Sequence, residues 1–423
     1  MRSQFFTNLP ADFPARALRW AAAFPHCVCC EPNGLDYPLG PFPQLLAVAS
    51  EAAAMAITLP QLAALTQRTA RPLMGFFTYE LKNELEALRS ENPSGLAWPT
   101  LHFFEPDCWL QWQADGVEVH APDPTATLGA ILATEVPAPV ASAVPPLRPR
   151  MARAAYLDAV EAVRQDIRAG EVYELNLCQE FFATGVVLDP VATFERLQVA
   201  SPTPFAGFVR WQQHYLLCAS PERFLSHTGG RITSQPIKGT RPRAADPVAD
   251  EAQRLGLLHD EKERAENLMI VDLVRNDLAR VARPGTVRVP ELFGTYGFRQ
   301  VWQLISTVQA ELPPGTPLPE VLAATFPMGS MTGAPKIRAM QLIEHYEQHR
   351  RGLFSGSFGV LWPNGDFDLN VVIRSLQYRA DTGYASLQVG SAITYDSVPA
   401  QEYAECLVKA QGVLKALGAV ISD

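Results

Sequence analysis

Tyr156, Leu157, Val160, Val163 and Ile167 fall on one face of a helix that Gly170 is able to stop. The period then changes. In EVYELNLCQEF, residues 171–181, Tyr173, Leu175 and Leu177 point one way, and Val172, Glu174, Asn176 and Cys178 the other. A strand with a polar second face is either half exposed or lines a pocket, and the alternation alone leaves both open. Residues 259–280, HDEKERAENLMIVDLVRNDLAR, read as a long helix, charged at first and apolar in the middle. Glu263 and Glu266 are neighbours on one of its faces, although acids near a helix start also suit its dipole without further purpose. Residues 325–347 read as a turn and a helix. Gly329 and Gly333 permit a tight backbone, and Pro335 suits the first helical turn. Such a loop can cradle an anion or simply cap the helix. LFSGSFGVLW, DFDLNVVIRSLQYR and YASLQVGSAITYD read as strands. Arg374 follows the apolar run Val371, Val372, Ile373, and an arginine there calls for an anionic partner. A last helix, from about Ala400 to Leu417, puts Glu402, Glu405 and Lys409 on one face, as a plain salt-bridge ladder also would.

These elements belong to a chain of 423 residues, which implies two domains or one large composite α+β unit. Residues 1–120 are aromatic-rich, residues 121–150 are dense in proline and small residues and read as a linker, and residues 151–423 hold nearly all the polar constellations. With 48% hydrophobic and 19% charged residues the chain can bury a sizeable core. A net charge of −9 argues against nucleic acid or an anionic membrane as the main partner, but not against a small anion that feels local arginines. The seven cysteines lack a disulfide framework and read as reduced thiols of a cytoplasmic protein. His26, Cys27, Cys29 and Cys30 invite a metal, but no second Cys/His pair lies at zinc spacing, and a buried apolar strand is the plainer reading. The start, MRSQFFTNLPADF, lacks the apolar core of a signal peptide, and no long uncharged apolar run follows, so a soluble cytosolic protein is expected.

Chemistry concentrates in a few stretches. If the helices carrying Glu263/Glu266 and Glu402/Glu405 meet, they offer oxygen ligands to Mg²⁺, which takes one or two carboxylates plus water and substrate oxygens. Arg374 and the glycine-lined loops would bind a multiply anionic small molecule. Glu222 in SPERF and Lys238 in PIKGTRPR are then candidates for general acid and nucleophile.

PIKGTRPR, AENLMIVDLVRNDLARV, SMTGAPKIRAMQLIE and DSVPAQEYAECLVKA, in this order, resemble the chorismate-utilising enzymes. The likeness is dense over residues 151–418 and extends to MGFFTYELKNELE, residues 74–86. It implies two antiparallel sheets packed face to face with helices outside, the N-terminal half being part of that body. It also implies chorismate as substrate. Anthranilate-forming members resemble PIAGT, with alanine at the place of Lys238, so the lysine resembles the aminodeoxychorismate-forming branch. That branch implies attack of the lysine amine at ring C2 as the C4 hydroxyl leaves, then displacement by ammonia at C4. Glu222 matches the general acid. Glu266 and Glu405 match Mg²⁺ ligands, with Glu263 and Glu402 as their acidic neighbours. Gly239, Thr240 and Arg374 match substrate contacts. Gly390, with Ser391 and Ala392, matches a glycine-rich turn around a carboxylate, and Lys409 a lysine close by. A neutral Lys238 is expected from burial and from Arg241 and Arg243 nearby.

Some positions depart from the pattern. The family's second turn glycine is Ala392. A frequent glutamine is Glu174, where isochorismate- and salicylate-forming relatives carry a lysine. A family histidine is Gln303, and Phe354 takes a place often held by tyrosine or tryptophan. Ammonia is expected from a separate glutamine amidotransferase, because no cysteine sits in a recognisable nucleophile elbow. Anthranilate synthesis is the nearest alternative, and a silent chorismate-binding subunit a more distant one.

Overall fold

The computed structural model describes residues 1–137, 144–299 and 301–422. Two large sheets carry the fold, with twelve and ten strands among the described residues, and their ladders are antiparallel. In the larger, the hairpin Phe205–Trp211 and His214–Ser220 is flanked by His26–Glu31 on one side and by Ser375–Arg379, Tyr384–Ile393 and Glu174–Ala183 on the other. In the smaller, Ile237–Pro242 pairs with Val301–Glu311 at one end, while Ser357–Leu361 and Leu73–Phe77 lie towards the other. Both sheets therefore join a block of strands from the first 121 residues to a block from the later chain, His26–Glu31 meeting Phe205–Trp211 in one and Leu73–Phe77 meeting Ser357–Leu361 in the other.

The sheets pack face to face over an inner core. Val28, Leu45 and Phe205 of the larger meet Phe76, Phe358 and Val360 of the smaller. At Gly207 the approach is too close for a side chain, since a Cβ there would lie 2.4 Å from the Phe358 ring. Helices cover the outer faces and make a second and a third core. The strand His26–Glu31 shows the consequence for sequence. Cys27 and Cys29 turn to the outer core and Val28 and Cys30 to the inner one, so the strand is apolar throughout instead of alternating. Burial pushes the Cys27 thiol up to about 12, and His26 pairs with Glu51 at 3.3 Å. Among the described residues no group of three His, Cys, Asp or Glu side chains is gathered as a metal site would gather them.

The helix read at Tyr156–Ile167 runs over Arg153–Arg168 and buries Tyr156, Val160 and Val163, and Gly170 follows it with φ +81°. The charged-then-apolar helix spans Glu261–Ala279, with the Asp260 side chain capping the Glu263 amide at 3.2 Å. The helix of the third motif is Lys336–Tyr346, preceded by Pro335 at its cap instead of in its first turn. The stretch read as one strand at 366–379 is two. Phe367–Asn370 belongs to the smaller sheet and Ser375–Arg379 to the larger, and Val371 to Arg374 carry the chain across. Arg374 makes that step with φ +49°, an uncommon backbone for a non-glycine residue.

Within the proline-rich segment, Asp123 caps a helix over Pro124–Leu132 that buries Ile131, and Arg148–Pro149 pairs with Phe181 and Phe182. Residues 138–143 of that segment lie outside the described residues. No helix among the described residues is long and apolar enough to cross a membrane.

Candidate active site

Where the two sheets open towards the helices Glu261–Ala279 and Pro399–Leu417 lies a cavity of about 1270 Å³. It gathers Glu222, Lys238, Gly239, Thr240, Phe354, Arg374, Gly390, Ala392 and Lys409, and the acids Glu263, Glu266, Glu402 and Glu405. Ser391 stands apart. It is fully buried, and its hydroxyl faces the Tyr156 hydroxyl at 3.3 Å behind the cavity wall. The expected glycine-rich turn is not a turn: Gly390 and Ala392 sit inside the strand Tyr384–Ile393, opposite Cys178 and Asn176. Glycine is needed at 390 because a Cβ would come within 2.6 Å of the Cys178 sulfur.

The polar face of Glu174–Ala183 resolves the choice the alternation left open. The whole strand is buried or nearly so, and Asn176 lines the cavity. Lys238 reaches this strand. Its Nζ donates to Glu174 Oε1 at 2.8 Å, with 11% of the lysine side chain and 1% of the glutamate exposed. Burial pulls the lysine's pKa down, but the charges of Glu174 and Glu266 outweigh it, and the net shift is upward. The expected neutral amine is therefore corrected. Arg241 and Arg243 do not face it, because they pair with Asp260 at 3.0 Å and Asp250 at 2.7 Å. At rest Lys238 is a buried ammonium in an acidic cage. Gly239 next to it takes φ +86°, and a Cβ there would press on Leu257 and Glu263.

Glu222 sits in the turn after His214–Ser220 and is 5% exposed. Burial pushes its carboxyl up to about 7, although the Ser330 hydroxyl, which donates to Oε1 at 2.8 Å, pulls the other way. It thus holds a proton near neutrality and can give it up, as a general acid must. Ser330 lies in the short turn Gly329–Met331, and only the Gly/Ser/Thr loop signal pointed towards it. Arg374 forms no side-chain hydrogen bond or ion pair among the described residues, and burial lowers its pKa. A cation so placed, on an uncommon backbone, is set for an anionic ligand.

Burial likewise pushes Glu266 up to about 7 and raises Glu263. Glu405 goes the other way, held down by Lys409 at 2.7 Å against its burial. Lys409 also donates to the Gly390 carbonyl at 2.8 Å.

A pair that the sequence did not announce fixes the floor of the cavity. Arg351, 1% exposed, binds Glu347 at 2.6 Å and donates to the carbonyls of Asn176 and Met331. Glu347 in turn accepts the Cys178 amide at 2.8 Å. The RR of HRRGLF looks like a surface run, and nothing in its spacing marks one arginine as buried.

Fold and site together define a cavity between two sheets that gathers a buried lysine, a buried arginine and a cluster of acids, and comparison gives the class. Residues 41–415 match the family described as chorismate binding enzyme, and the chain belongs to that family. It is 38% identical over 348 residues to aminodeoxychorismate synthase component 1 of Klebsiella aerogenes, covering 81% of this chain and 76% of that protein. It is 37% identical over 359 residues to anthranilate synthase component 1 of Thermus thermophilus, covering 82% and 77%. The crystal structure of anthranilate synthase component I from Streptococcus pneumoniae superposes with a TM-score of 0.75 at 27% identity, covering 98% of this chain and 92% of that one. The protein is a chorismate-utilising enzyme.

Proposed function

We propose that this chain is the chorismate-aminating component of an aminodeoxychorismate synthase. It converts chorismate and ammonia to 4-amino-4-deoxychorismate, on the way to p-aminobenzoate and folate, through a covalent bond from Lys238. The carrying observation is a buried lysine amine in one cavity with a proton-holding carboxyl, Glu222, and an Arg374 without an ion pair among the described residues. In this reading Arg374 and Lys409 bind carboxylates of the substrate, and Gly239 and Thr240 let the backbone approach its ring. The amine of Lys238 attacks C2, Glu222 protonates the C4 hydroxyl as it leaves, and ammonia then adds at C4 and expels the lysine. Phe354, 2% exposed, gives the ring an apolar wall.

The acids of the cavity form no ready-made group of three among the described residues, but as pairs they suit Mg²⁺, which takes one or two carboxylates. Two helices bring them to one space, and burial holds Glu263 and Glu266 above the usual carboxylate range, a penalty that a bound cation would relieve. Glu266 and Glu405 would hold the ion, with Glu263 and Glu402 behind them. Water and substrate would supply the other oxygens. The ion would neutralise a substrate carboxylate and orient the ring. A separate glutamine amidotransferase would deliver the ammonia, and the reaction would run in the cytoplasm.

The 37% identity to an anthranilate synthase component favours a second reading, in which pyruvate is eliminated and anthranilate released. Incubation with chorismate, ammonium and Mg²⁺ separates the two. Aminodeoxychorismate, turned to p-aminobenzoate by an added lyase, supports the first reading; fluorescent anthranilate with equimolar pyruvate overturns it.

A further inference from the structure

On the reading just proposed, we infer that Glu174 is a further catalytic residue, the base that takes the proton of Lys238 before the amine attacks. An ammonium has no lone pair, and the charges that weigh most on Lys238 are acids, which favour its charged form. The acids Glu174, Glu222, Glu266, Glu263 and Glu405 face the amine from the strand, the turn and the two helices. Of the other cations in the cavity, Arg374 acts on Glu222, Lys262 pairs with Glu266 at 3.7 Å and Lys409 with Glu405 at 2.7 Å. The attack therefore needs a proton acceptor at the nitrogen itself.

Geometry selects it. Glu222 already receives the Ser330 hydroxyl and serves the leaving group. Glu266 pairs with Lys262 at 3.7 Å and forms no ion pair with Lys238 among the described residues. Among the described residues Glu174 is the one carboxylate hydrogen-bonded to the amine, at 2.8 Å. Its other oxygen, Oε2, is buried without a hydrogen-bond partner, so it can accept a proton without breaking another bond. The backbone holds it firmly, with Glu174 opposite Ala334 in the ladder with Gly333–Ala334. An amide at this place could bind the amine but could not take its proton.

The step balances. A proton passes from Lys238 Nζ to the Glu174 carboxylate. The freed lone pair forms the C–N bond at C2, both ring double bonds shift along the ring towards C4, and the C4–O bond breaks. Its electron pair leaves on the hydroxyl, which takes the Glu222 proton and departs as water. Glu174 ends neutral, Glu222 ionised, and the adduct nitrogen carries a positive charge. When ammonia adds at C4, lysine leaves as the amine and recovers its proton from Glu174.

The test is the rate of Lys238 adduct formation from chorismate and Mg²⁺ without ammonia, by rapid quench and intact mass, across pH. Glu174→Gln should slow it at least about tenfold near neutral pH. The loss should shrink as pH rises and solvent base deprotonates the lysine. Glu174→Asp should be slower than wild type but keep its pH profile. A wild-type rate in Glu174→Gln overturns the inference, and so does a uniform loss with an unchanged profile, which is what a purely structural role gives. If Glu174→Gln fails to fold by circular dichroism, Glu174→Asp decides: its shorter side chain leaves the 2.8 Å contact, and an undiminished rate overturns the inference. No adduct in the wild type would instead defeat the proposed function itself.

Discussion

Replacing Glu222 by glutamine should make the enzyme inactive and, at alkaline pH, more stable. Burial lifts this carboxyl from 4.5 to about 7. Between those values the folded protein keeps a proton that the unfolded chain has lost, so stability falls as pH rises. The loss is ~1.4 kcal/mol per unit and levels off above the folded pKa. The shift of about 2.5 units then costs about 3 kcal/mol above neutrality and almost nothing below about pH 4.5. Glutamine cannot ionise, and its Oε1 can still accept the Ser330 hydroxyl that now binds Glu222 at 2.8 Å. Denaturant unfolding of wild type and Glu222→Gln, without substrate or Mg²⁺, should show a stability gain of up to about 3 kcal/mol near pH 8.5 that fades towards about pH 5. Turnover should fall by about a hundredfold or more, for want of a proton donor. An equal stability difference at both pH values would refute the reasoning, because it would mean that burial does not hold the proton. Full turnover in the stabilised variant would refute the acid role.

The same geometry fixes other outcomes. Gly239→Ala, forced to φ +86° with its Cβ against Leu257 and Glu263, should lose about 1–3 kcal/mol in thermal or denaturant unfolding and most of its activity. Arg374→Ala should fold normally by circular dichroism but raise KM for chorismate at least about tenfold, as expected when a partner of a substrate carboxylate is removed. Glu347→Ala strands a fully buried guanidinium and should cost about 3–5 kcal/mol of stability, measured by denaturant unfolding.

Sequence reading went furthest where one chain segment carries its own signal. The helix at Arg153–Arg168 follows from apolar spacing, that at Glu261–Ala279 from a charged start and an apolar middle, that at Pro399–Leu417 from its charged face, and the ordered motifs pointed to the family. It stopped where partners lie far apart in the chain. Lys238 meets Glu174 across 64 positions, so its charge state could not be read from the neighbouring arginines, which turned out to serve Asp260 and Asp250. The break in the strand at 371–374 was hidden because a crossover between two buried sheets is as apolar as the strands it joins. Gly390 looked like a turn because its small size serves the Cys178 sulfur on the neighbouring strand. Arg351 is invisible for a similar reason: its buried partners come from a helix end, a distant strand and a short turn.

The nucleophilic role of Lys238 is tested most directly by trapping. Intact protein incubated with chorismate and Mg²⁺, with ammonia withheld, should gain the mass of chorismate less water, and peptide mapping should place it on Lys238. Added ammonium should then discharge it as aminodeoxychorismate. Aminodeoxychorismate formation at an undiminished rate by Lys238→Ala, with no adduct on the wild-type chain, would contradict the account.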